Sequence, residues 1–299
     1  MLKLISAGFT ILIGQYVVQA SDWSYWGETG PNYWPGVCKK GTNQSPINIV
    51  TDDAVKTDLA PLKFIRYDFA FSANIINNGH TVQITLNGVP IHLKGGGLPS
   101  TYVLEQMHFH WGAEHTIDGT RDALELHFVH YDKQYDNMTV ASEYENGIAV
   151  VAVLFELSEE DNENLESILN ATESVSTWVG GSTAKIPTKI IPYLLLPADH
   201  TTFYRYQGSL TTPECKEGVI WTVMTEKLKI SQSQLTSFMR VESNSGLLFY
   251  NYRPLQELGS RTVYHHLEGY SAASSSVLRS SLLFTLLNLP LISHSYSSS

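Results

Sequence analysis

Two short segments, Glu105-Gln-Met-His-Phe-His-Trp111 and Leu124-Glu-Leu-His-Phe-Val-His130, decide how this chain folds. In each of them apolar and polar side chains alternate, which predicts a β-strand with one face turned to a core. His108 and His110 project from the same face because side chains two residues apart in a strand point the same way. An antiparallel pairing of the two strands would bring His127 opposite them.

Three histidines placed in this way have the pattern of a metal site. Three neutral imidazoles suit Zn²⁺, and three protein ligands leave a fourth position for water, as in catalytic rather than structural zinc sites. Such ligands need acceptors that fix their tautomer. Gln106 stands two residues from His108, and Glu125 two residues from His127, on the same faces. The alternative is that these are three ordinary core histidines with satisfied hydrogen bonds. That reading does not explain why Gln106 and Glu125 share the faces of the histidines.

Composition indicates one globular, β-rich domain. Of the 299 residues, 43% are hydrophobic and 16% are charged, so a sizeable core is expected and global disorder is not. The formal net charge of −10 argues against nucleic-acid binding, which needs a basic surface. Residues 21–266 contain no repeat and no low-complexity linker, which favours a single domain.

Local patterns favour a mostly β (α+β) fold with small peripheral helices. Strict alternation at residues 81–86 predicts a strand, and Asn87-Gly88 after it predicts a hairpin turn. The valine-rich run at residues 147–157 predicts a buried central strand. Short helices are expected at residues 162–169 and 231–239.

The N-terminus has the pattern of a secretory signal peptide at residues 1–20. An apolar run at residues 4–18 leads to Val18-Gln19-Ala20, which offers small residues for cleavage. A membrane anchor is the alternative, although the run is short for a bilayer span. In an oxidising compartment the chain's two cysteines, Cys38 and Cys215, can pair, and two free buried thiols are the other reading.

The C-terminal tail, residues 267–299, leaves two interpretations open. Small residues at 271–276 followed by an apolar run at 282–292 suggest a glycolipid-anchor signal. Arg279 and the polar segment at residues 293–299 argue instead for a simple disordered or processed tail. We expect a secreted or extracellular protein, held at the membrane only if the anchor is added. Three sequons are candidate glycan acceptors: Asn43, Asn137 and Asn170.

The motifs His108–Gly112, Glu114–Thr116 and Glu125–His127 resemble those of the α-class carbonic anhydrases, in particular the secreted type. The resemblance extends from Trp23 to about Pro254 and implies a large, twisted, mostly antiparallel central sheet. It also implies that Cys38 and Cys215 form the disulfide of the secreted members. Further family motifs follow in the same order: Gln44-Ser-Pro-Ile-Asn-Ile, Asn78-Gly-His, Ser209-Leu-Thr-Thr-Pro and Asn251-Tyr-Arg-Pro.

The resemblance assigns the zinc ligands to His108, His110 and His127. It implies that Thr211 accepts a hydrogen bond from zinc-bound hydroxide and donates one to Glu114, since a hydroxyl can do both. An ordinary turn threonine is the alternative. Thr212 matches the position that contacts bicarbonate. The apolar wall for carbon dioxide matches Val129, Val150, Leu210, Val219 and Trp221.

His80 matches the family's proton shuttle, a role that suits a side chain titrating near neutral pH. An exposed turn histidine is the alternative. Tyr25, Asn78 and Gln83 match residues that order the connecting waters. Strand parity places His80 and Gln83 on opposite faces, whereas the family places both in the cavity. A local bulge would reconcile the two, but the sequence does not show one.

The sequence departs from the family pattern at two loops. Only Gly112 and Ala113 separate Trp111 from Glu114, so the rim there should be trimmed. Glu214 stands where many relatives have proline, so the loop after Thr212 is expected to differ.

The expected activity is zinc-dependent, reversible hydration of carbon dioxide to bicarbonate and a proton, as catalysed by a carbonate dehydratase. An acatalytic extracellular binding module on the same fold is the alternative, and the intact set of histidines argues against it. Another zinc hydrolase, such as an esterase, is a third reading. The sequence leaves the oligomeric state and the use of the bicarbonate open.

Overall fold

The computed structural model of the chain describes residues 23–181 and 183–271. The predicted signal peptide and most of the predicted tail lie outside these residues. The α-helices are α1 Val37–Lys40, α2 Met138–Ala141, α3 Glu166–Val175 and α4 Gln232–Phe238. Short 3-10 helices span Gly27–Thr29, Pro31–Tyr33, Glu163–Leu165 and Pro192–Leu195. The strands are β1 Asn48–Ile49, β2 Val55–Thr57, β3 Leu62–Ile65, β4 Ser72–Asn77, β5 Val82–Asn87, β6 His92–Gly95, β7 Tyr102–Trp111, β8 Thr116–Ile117, β9 Thr120–Arg121, β10 Leu124–Asp132, β11 Ile148–Ser158, β12 Ala184–Lys185, β13 Phe203–Ser209, β14 Glu217–Met224, β15 Leu228–Ser231, β16 Glu242–Ser243, β17 Gly246–Leu247 and β18 Tyr264–His266.

A large sheet dominates the fold, as expected for a mostly β chain. Within the described residues it has 13 strands, with the order β12-β4-β5-β7-β10-β11-β14-β13-β18-β2 along its main path. Most neighbours are antiparallel, whereas β11 runs parallel to β14 and β15, and β18 runs parallel to β2. The fold-class prediction is therefore confirmed.

The two faces of the central strands carry different side chains. Met107, Phe109 and Trp111 of β7 are buried in an apolar core on one face, as the alternation in the sequence predicts. The opposite face carries a second apolar cluster, which includes Val129 and Trp221, together with the histidines. Burial of the first core fixes the register, because a shift by one residue would exchange the two faces.

Several predicted elements occur with shifted ends. Strand β11 begins at Ile148 and is buried as far as Phe155, but Leu157, which the sequence placed inside, is 55% exposed. The first predicted helix becomes a 3-10 turn followed by α3, which continues to Val175. The second is α4, whose first turn is held by a capping box from Ser231.

The predicted hairpin at Asn87-Gly88 is wrong. Strand β5 does end at Asn87, but β5 pairs with β4 and β7. The next strand, β6, pairs with β3 and with the start of β7 instead. The turn therefore redirects the chain to a different part of the sheet.

Cys38 and Cys215 form a disulfide, which confirms the predicted pairing. It joins helix α1 to the loop between β13 and β14. Among the residues that the structure describes, no helix has the length and apolarity needed to cross a bilayer.

Candidate metal centre

Strands β7 and β10 bring three histidine rings together. They pair antiparallel, with His127 directly opposite His108 and Glu125 opposite His110. The ring centroids lie 4.9 Å apart for His108 and His110, 5.0 Å for His108 and His127, and 4.6 Å for His110 and His127. His127 Nδ1 and His108 Nε2 face each other at 3.2 Å. One nitrogen from each ring can therefore reach a shared ion.

The outward nitrogen of each ring is held by an acceptor. His108 Nδ1 donates to Gln106 Oε1 at 2.9 Å, and His127 Nε2 donates to Glu125 Oε1 at 2.6 Å. His110 Nδ1 donates to the carbonyl oxygen of Asn251 at 2.6 Å. These acceptors place a proton on the outward nitrogens, so the inward ones, His108 Nε2, His110 Nε2 and His127 Nδ1, carry lone pairs.

Burial keeps the rings of His108 and His110 uncharged. It lowers the pKa of His110 and lowers the pKa of His108 well below the ordinary value, and the neighbouring rings lower that of His108 further. His110 Nε2 is buried and has no hydrogen-bond partner within the described part of the chain. An unpaired buried acceptor is costly. A divalent metal ion would satisfy it, and three neutral imidazoles form a donor set that suits zinc.

A second group of three, His115, Glu125 and His127, also has metal-ligand spacing. In this group the polar atoms already satisfy one another. Glu125 Oε1 accepts from His115 Nδ1 at 2.7 Å, and Glu125 Oε2 accepts from the His115 backbone N–H at 2.8 Å. Tyr206 donates to His115 Nε2 at 2.7 Å. This group is therefore a hydrogen-bond network that supports His127.

The charge of Glu125 is stabilised by that network. Burial alone would raise the pKa of Glu125, but the facing rings of His115 and His127 outweigh it and hold the pKa well below its usual range. His115 and Tyr206 were missed from the sequence. The segment Glu114-His115-Thr116 was noted there, but nothing local shows that His115 turns back to meet Glu125.

Glu114 lies beside the centre, but its predicted hydrogen bond from Thr211 is absent from the structure. Both residues are buried. Glu114 Oε1 accepts the backbone N–H of Arg253 at 2.9 Å, and Oε2 faces His110 Nε2 at 3.6 Å. Among the described residues, no group donates to Oε2. The carboxylate is thus oriented by Arg253 rather than by Thr211.

The loop that carries Thr211 and Thr212 connects β13 to β14. It is closed by a hydrogen bond from the Leu210 N–H to the Lys216 carbonyl at 2.9 Å and one from the Cys215 N–H to the Thr212 carbonyl at 2.7 Å. The peptide bond between Pro213 and Glu214 is cis.

The predicted apolar wall forms a continuous surface beside the histidines. Val129 pairs across the strands with Val150, and Val150 pairs with Trp221. The Trp221 ring lies 4.9 Å from that of His127. Val129, Val150, Val219 and Trp221 are buried in one cluster, with Leu210 packed against it.

His80 lies in the loop before β5, which explains the parity conflict in the sequence. Because β5 begins only at Val82, strand alternation does not apply to His80 and no bulge is needed. The ring of His80 stacks on Trp23, with centroids 3.6 Å apart and planes 7° from parallel. Gln83, inside β5, pairs directly with His108 and so shares its face.

Asn78 and Tyr25 lie nearby with different surroundings. Asn78 Oδ1 accepts the N–H groups of His80 and Thr81, each at 3.0 Å, so this oxygen shapes the loop. Tyr25 is buried, and burial together with the charge of Glu114 raises its pKa well above the ordinary value. Its hydroxyl therefore stays neutral.

At the shortened rim, Gly112 adopts a φ of +66°, a conformation that favours glycine. A Cβ at Gly112 would lie 2.5 Å from the Tyr252 ring, so a side chain does not fit there. The Arg121 guanidinium lies over the Tyr252 ring, 4.1 Å from its centroid.

The sheet and the converging histidines define a β-sheet protein with a candidate three-histidine metal centre. Comparison with known families makes this more specific. The sequence model of the eukaryotic-type carbonic anhydrases matches residues 24–267, and the chain belongs to that family.

Individual relatives agree with the family match. The chain is 37% identical to carbonic anhydrase 4 of Oryctolagus cuniculus over 268 residues, which cover 83% of this chain and 82% of the relative. It is 37% identical to putative carbonic anhydrase 3 of Caenorhabditis elegans over 257 residues, which cover 81% of this chain and 97% of the relative. It is 32% identical to carbonic anhydrase 3 of Homo sapiens over 259 residues, which cover 82% of this chain and 98% of the relative.

Proposed function

We propose that this protein catalyses the zinc-dependent, reversible hydration of carbon dioxide to bicarbonate and a proton. The observation that carries the proposal is the arrangement of the three histidines. Their inward nitrogens face one another, while each outward nitrogen donates to a separate acceptor. Membership of the carbonic anhydrase family supports the same chemistry.

His108, His110 and His127 would hold the zinc ion. When bound, zinc lowers the pKa of water and so supplies a nucleophile near neutral pH, as in carbonic anhydrases, the type example of this chemistry. Burial disfavours the charged form of His108 and His110. Hydrogen bonds to Gln106, the Asn251 carbonyl and Glu125 orient the rings of His108, His110 and His127, respectively.

Thr211 and Glu114 would orient the reacting oxygen. An ionised carboxylate only accepts hydrogen bonds, so a threonine hydroxyl that donates to it has its lone pairs left to accept from the nucleophile. The buried Oε2 of Glu114, which lacks a donor among the described residues, is available for this bond.

The apolar wall would bind carbon dioxide next to the metal. Carbon dioxide carries no net charge, so Val129, Val150 and Trp221 can bury it without an unpaired polar group. Thr212, at the edge of the same loop as Thr211, would contact bicarbonate. The remaining members of the wall are Leu210 and Val219.

His80 would carry protons between the centre and solvent. Its loop lies outside β5, its side chain is partly exposed, and its stacking on Trp23 gives it a defined resting position. An imidazole titrates close to neutral pH and can accept and release a proton there. Tyr25, Asn78 and Gln83 would line the intervening water path.

Stopped-flow measurement of carbon dioxide hydration, with and without a zinc chelator, tests the proposal. We expect activity that the chelator abolishes and added zinc restores. His127→Ala should lose both zinc and activity. A protein that binds zinc at this centre but does not hydrate carbon dioxide would instead be an acatalytic binding module. Faster turnover of an ester than of carbon dioxide would favour an esterase.

We further propose that the protein is secreted after cleavage of residues 1–20, with residues 21–266 as the catalytic domain. The disulfide between Cys38 and Cys215 supports an oxidising environment. The tail, residues 267–299, would either be replaced by a glycolipid anchor or be a simple disordered or processed tail without one. Mass spectrometry of the mature C-terminus, with phospholipase release from cells, separates these two outcomes, and the same spectra show whether Asn43, Asn137 or Asn170 carries a glycan.

A further inference from the structure

A cavity of about 510 Å³ lies beside strand β13, at the point where its pairing with β18 ends. Strand β18 pairs with the start of β13 and stops at Arg205, although β13 continues beyond it. The cavity is lined there by Arg205, Tyr206 and Gln207 of β13 and by Tyr264 of β18. None of the residues that we assign to zinc, carbon dioxide or the proton path lines it, so this cavity is separate from the metal centre.

Arg205 brings a buried positive charge to this cavity. The side chain is 7% exposed. Its Nη1 donates to the Gly96 carbonyl at 2.7 Å, and its Nε and Nη2 donate to Thr222 Oγ1 at 3.1 and 2.9 Å. A guanidinium has five N–H donors, so one N–H on each terminal nitrogen lacks an acceptor in the described part of the chain. Burial lowers the pKa of Arg205 to about 10, which leaves the group charged at neutral pH.

Arg261 is a second cation in the lining, and its position is also fixed. Three backbone carbonyls accept from its guanidinium: Leu258 at 2.9 Å, Gln207 at 3.0 Å and Glu257 at 2.7 Å. Here too, each terminal nitrogen keeps one N–H without an acceptor among the described residues. Because the protein already holds both guanidinium groups in place, a ligand would need little further ordering of the site.

No carboxylate of the described residues neutralises this pair of arginines. Neither Arg205 nor Arg261 forms an ion pair there, and no acidic residue of the described ranges lines the cavity. Burial lowers the pKa of Arg261, and the charge of Glu217 partly offsets this, but Glu217 Oε1 itself accepts from the Asn43 N–H at 2.7 Å. Buried charge without a counterion is costly, so an anion in the cavity would be stabilised.

The rest of the lining favours an apolar body on that anion. Leu59, Pro99 and Ile220 line the cavity together with the two tyrosines. Its volume falls in the range of about 300–1,000 Å³ that is typical of small-molecule sites. The fork of N–H groups on an arginine matches the two oxygens of a carboxylate.

We propose that this cavity binds a small organic carboxylate, with the carboxylate on Arg205 and Arg261 and the apolar body against the aliphatic and aromatic lining. The proposal does not depend on carbon dioxide hydration, because no residue assigned to that reaction lines the cavity.

Isothermal titration calorimetry of the intact, zinc-loaded protein with 3-phenylpropanoate tests this. The neutral amide, 3-phenylpropanamide, has nearly the same shape without the charge. We expect one carboxylate bound per chain and binding of the amide that is weaker by about 10-fold or more. Arg205→Gln should weaken carboxylate binding by about 10- to 100-fold. Arg261→Gln should have a similar effect, and it serves as the second variant because its side chain is less buried.

Two controls separate the cavity from net charge and from the metal. Arg66→Gln changes the net charge equally, and Arg66 is also partly buried and donates to a carbonyl, that of Pro90, but does not line the cavity. It should bind like the wild type. His110→Ala should also retain binding, since an anion held by zinc would be lost with the metal. The proposal would be overturned by no binding to the wild type, by equal binding of acid and amide, or by equal losses in Arg66→Gln and Arg261→Gln. Binding that is lost in His110→Ala but kept in both cavity variants would place the anion on the metal instead.

Discussion

Replacing Glu125 by glutamine would test how much the buried network contributes to the metal centre. The Glu125 carboxylate accepts three hydrogen bonds, from His127 Nε2 at 2.6 Å and from His115 Nδ1 and the His115 N–H at 2.7 and 2.8 Å. In Glu125→Gln, an amide NH₂ group must replace one of the two oxygens. If it replaces Oε2, it meets the His115 N–H, donor against donor.

The cost follows from these contacts. Hydrogen bonds to a charged acceptor contribute about 1.5–3 kcal/mol, against about 0.5–1.5 kcal/mol for a neutral one. Weakening two bonds by about 1 kcal/mol each and losing the third at about 1–2 kcal/mol gives a destabilisation of about 3–4 kcal/mol. His127 also loses the charged partner that fixes its tautomer, so zinc affinity should fall about 10–100-fold.

Two measurements separate the two effects. Urea unfolding of the zinc-free protein reports the loss of stability, and competition with a chelator of known affinity reports zinc binding. Glu156→Gln is the control, because Glu156 is an exposed glutamate on the neighbouring strand β11. Zinc affinity of Glu125→Gln within twofold of the wild type would refute the supporting role of the network.

Three further predictions concern the shuttle, the acid stability and the core. His80→Ala should slow turnover at low buffer concentration, with partial recovery on adding imidazole, and an unchanged rate would exclude the shuttle role. Burial lowers the pKa of His130 to about 4, whereas the unfolded value is about 6.5, so the unfolded state binds the proton first and stability falls as the pH drops between these values. Urea unfolding should show about 2 kcal/mol of this loss between pH 7 and pH 5, and His130→Gln should remove it; an undiminished loss in the variant would contradict the assignment. Phe109→Ala, in the fully buried core behind the histidines, should cost about 3–5 kcal/mol by the same method, and a cost under 1 kcal/mol would mean that this core is loosely packed.

The sequence predicts the parts of the centre that depend on local geometry. Alternation in two strands places His108, His110 and His127 on one face, and the spacing of two residues brings Gln106 and Glu125 to their rings. The core on the opposite face follows from the same alternation.

Contacts between distant segments could not be predicted in this way. The acceptor for His110 is a backbone carbonyl of Asn251, 141 residues away, and backbone groups leave no signal in the sequence. Arg253 likewise reaches Glu114 through its N–H. The partner of His115 depends on how the chain turns between β7 and β10, which two-residue periodicity does not describe.

The position of His80 shows where the periodicity itself fails. The sequence alternates from Thr81 onward, and extending this pattern back by one residue places His80 in the same strand. Asn78 instead uses its side-chain oxygen to hold the N–H groups of His80 and Thr81, and this loop delays the start of the strand to Val82. Competition between a side-chain acceptor and the sheet for the same N–H groups decides the boundary.

X-ray absorption spectroscopy of the zinc-loaded protein tests the central claim most directly, because it reports the atoms bound to the metal. We predict three imidazole nitrogens at about 2.0–2.1 Å and one further light atom from solvent. His110→Ala should remove one nitrogen from this shell, whereas His115→Gln should leave it at three. A shell in which His115 or a carboxylate replaces His110, or one closed by four protein ligands, would contradict the account.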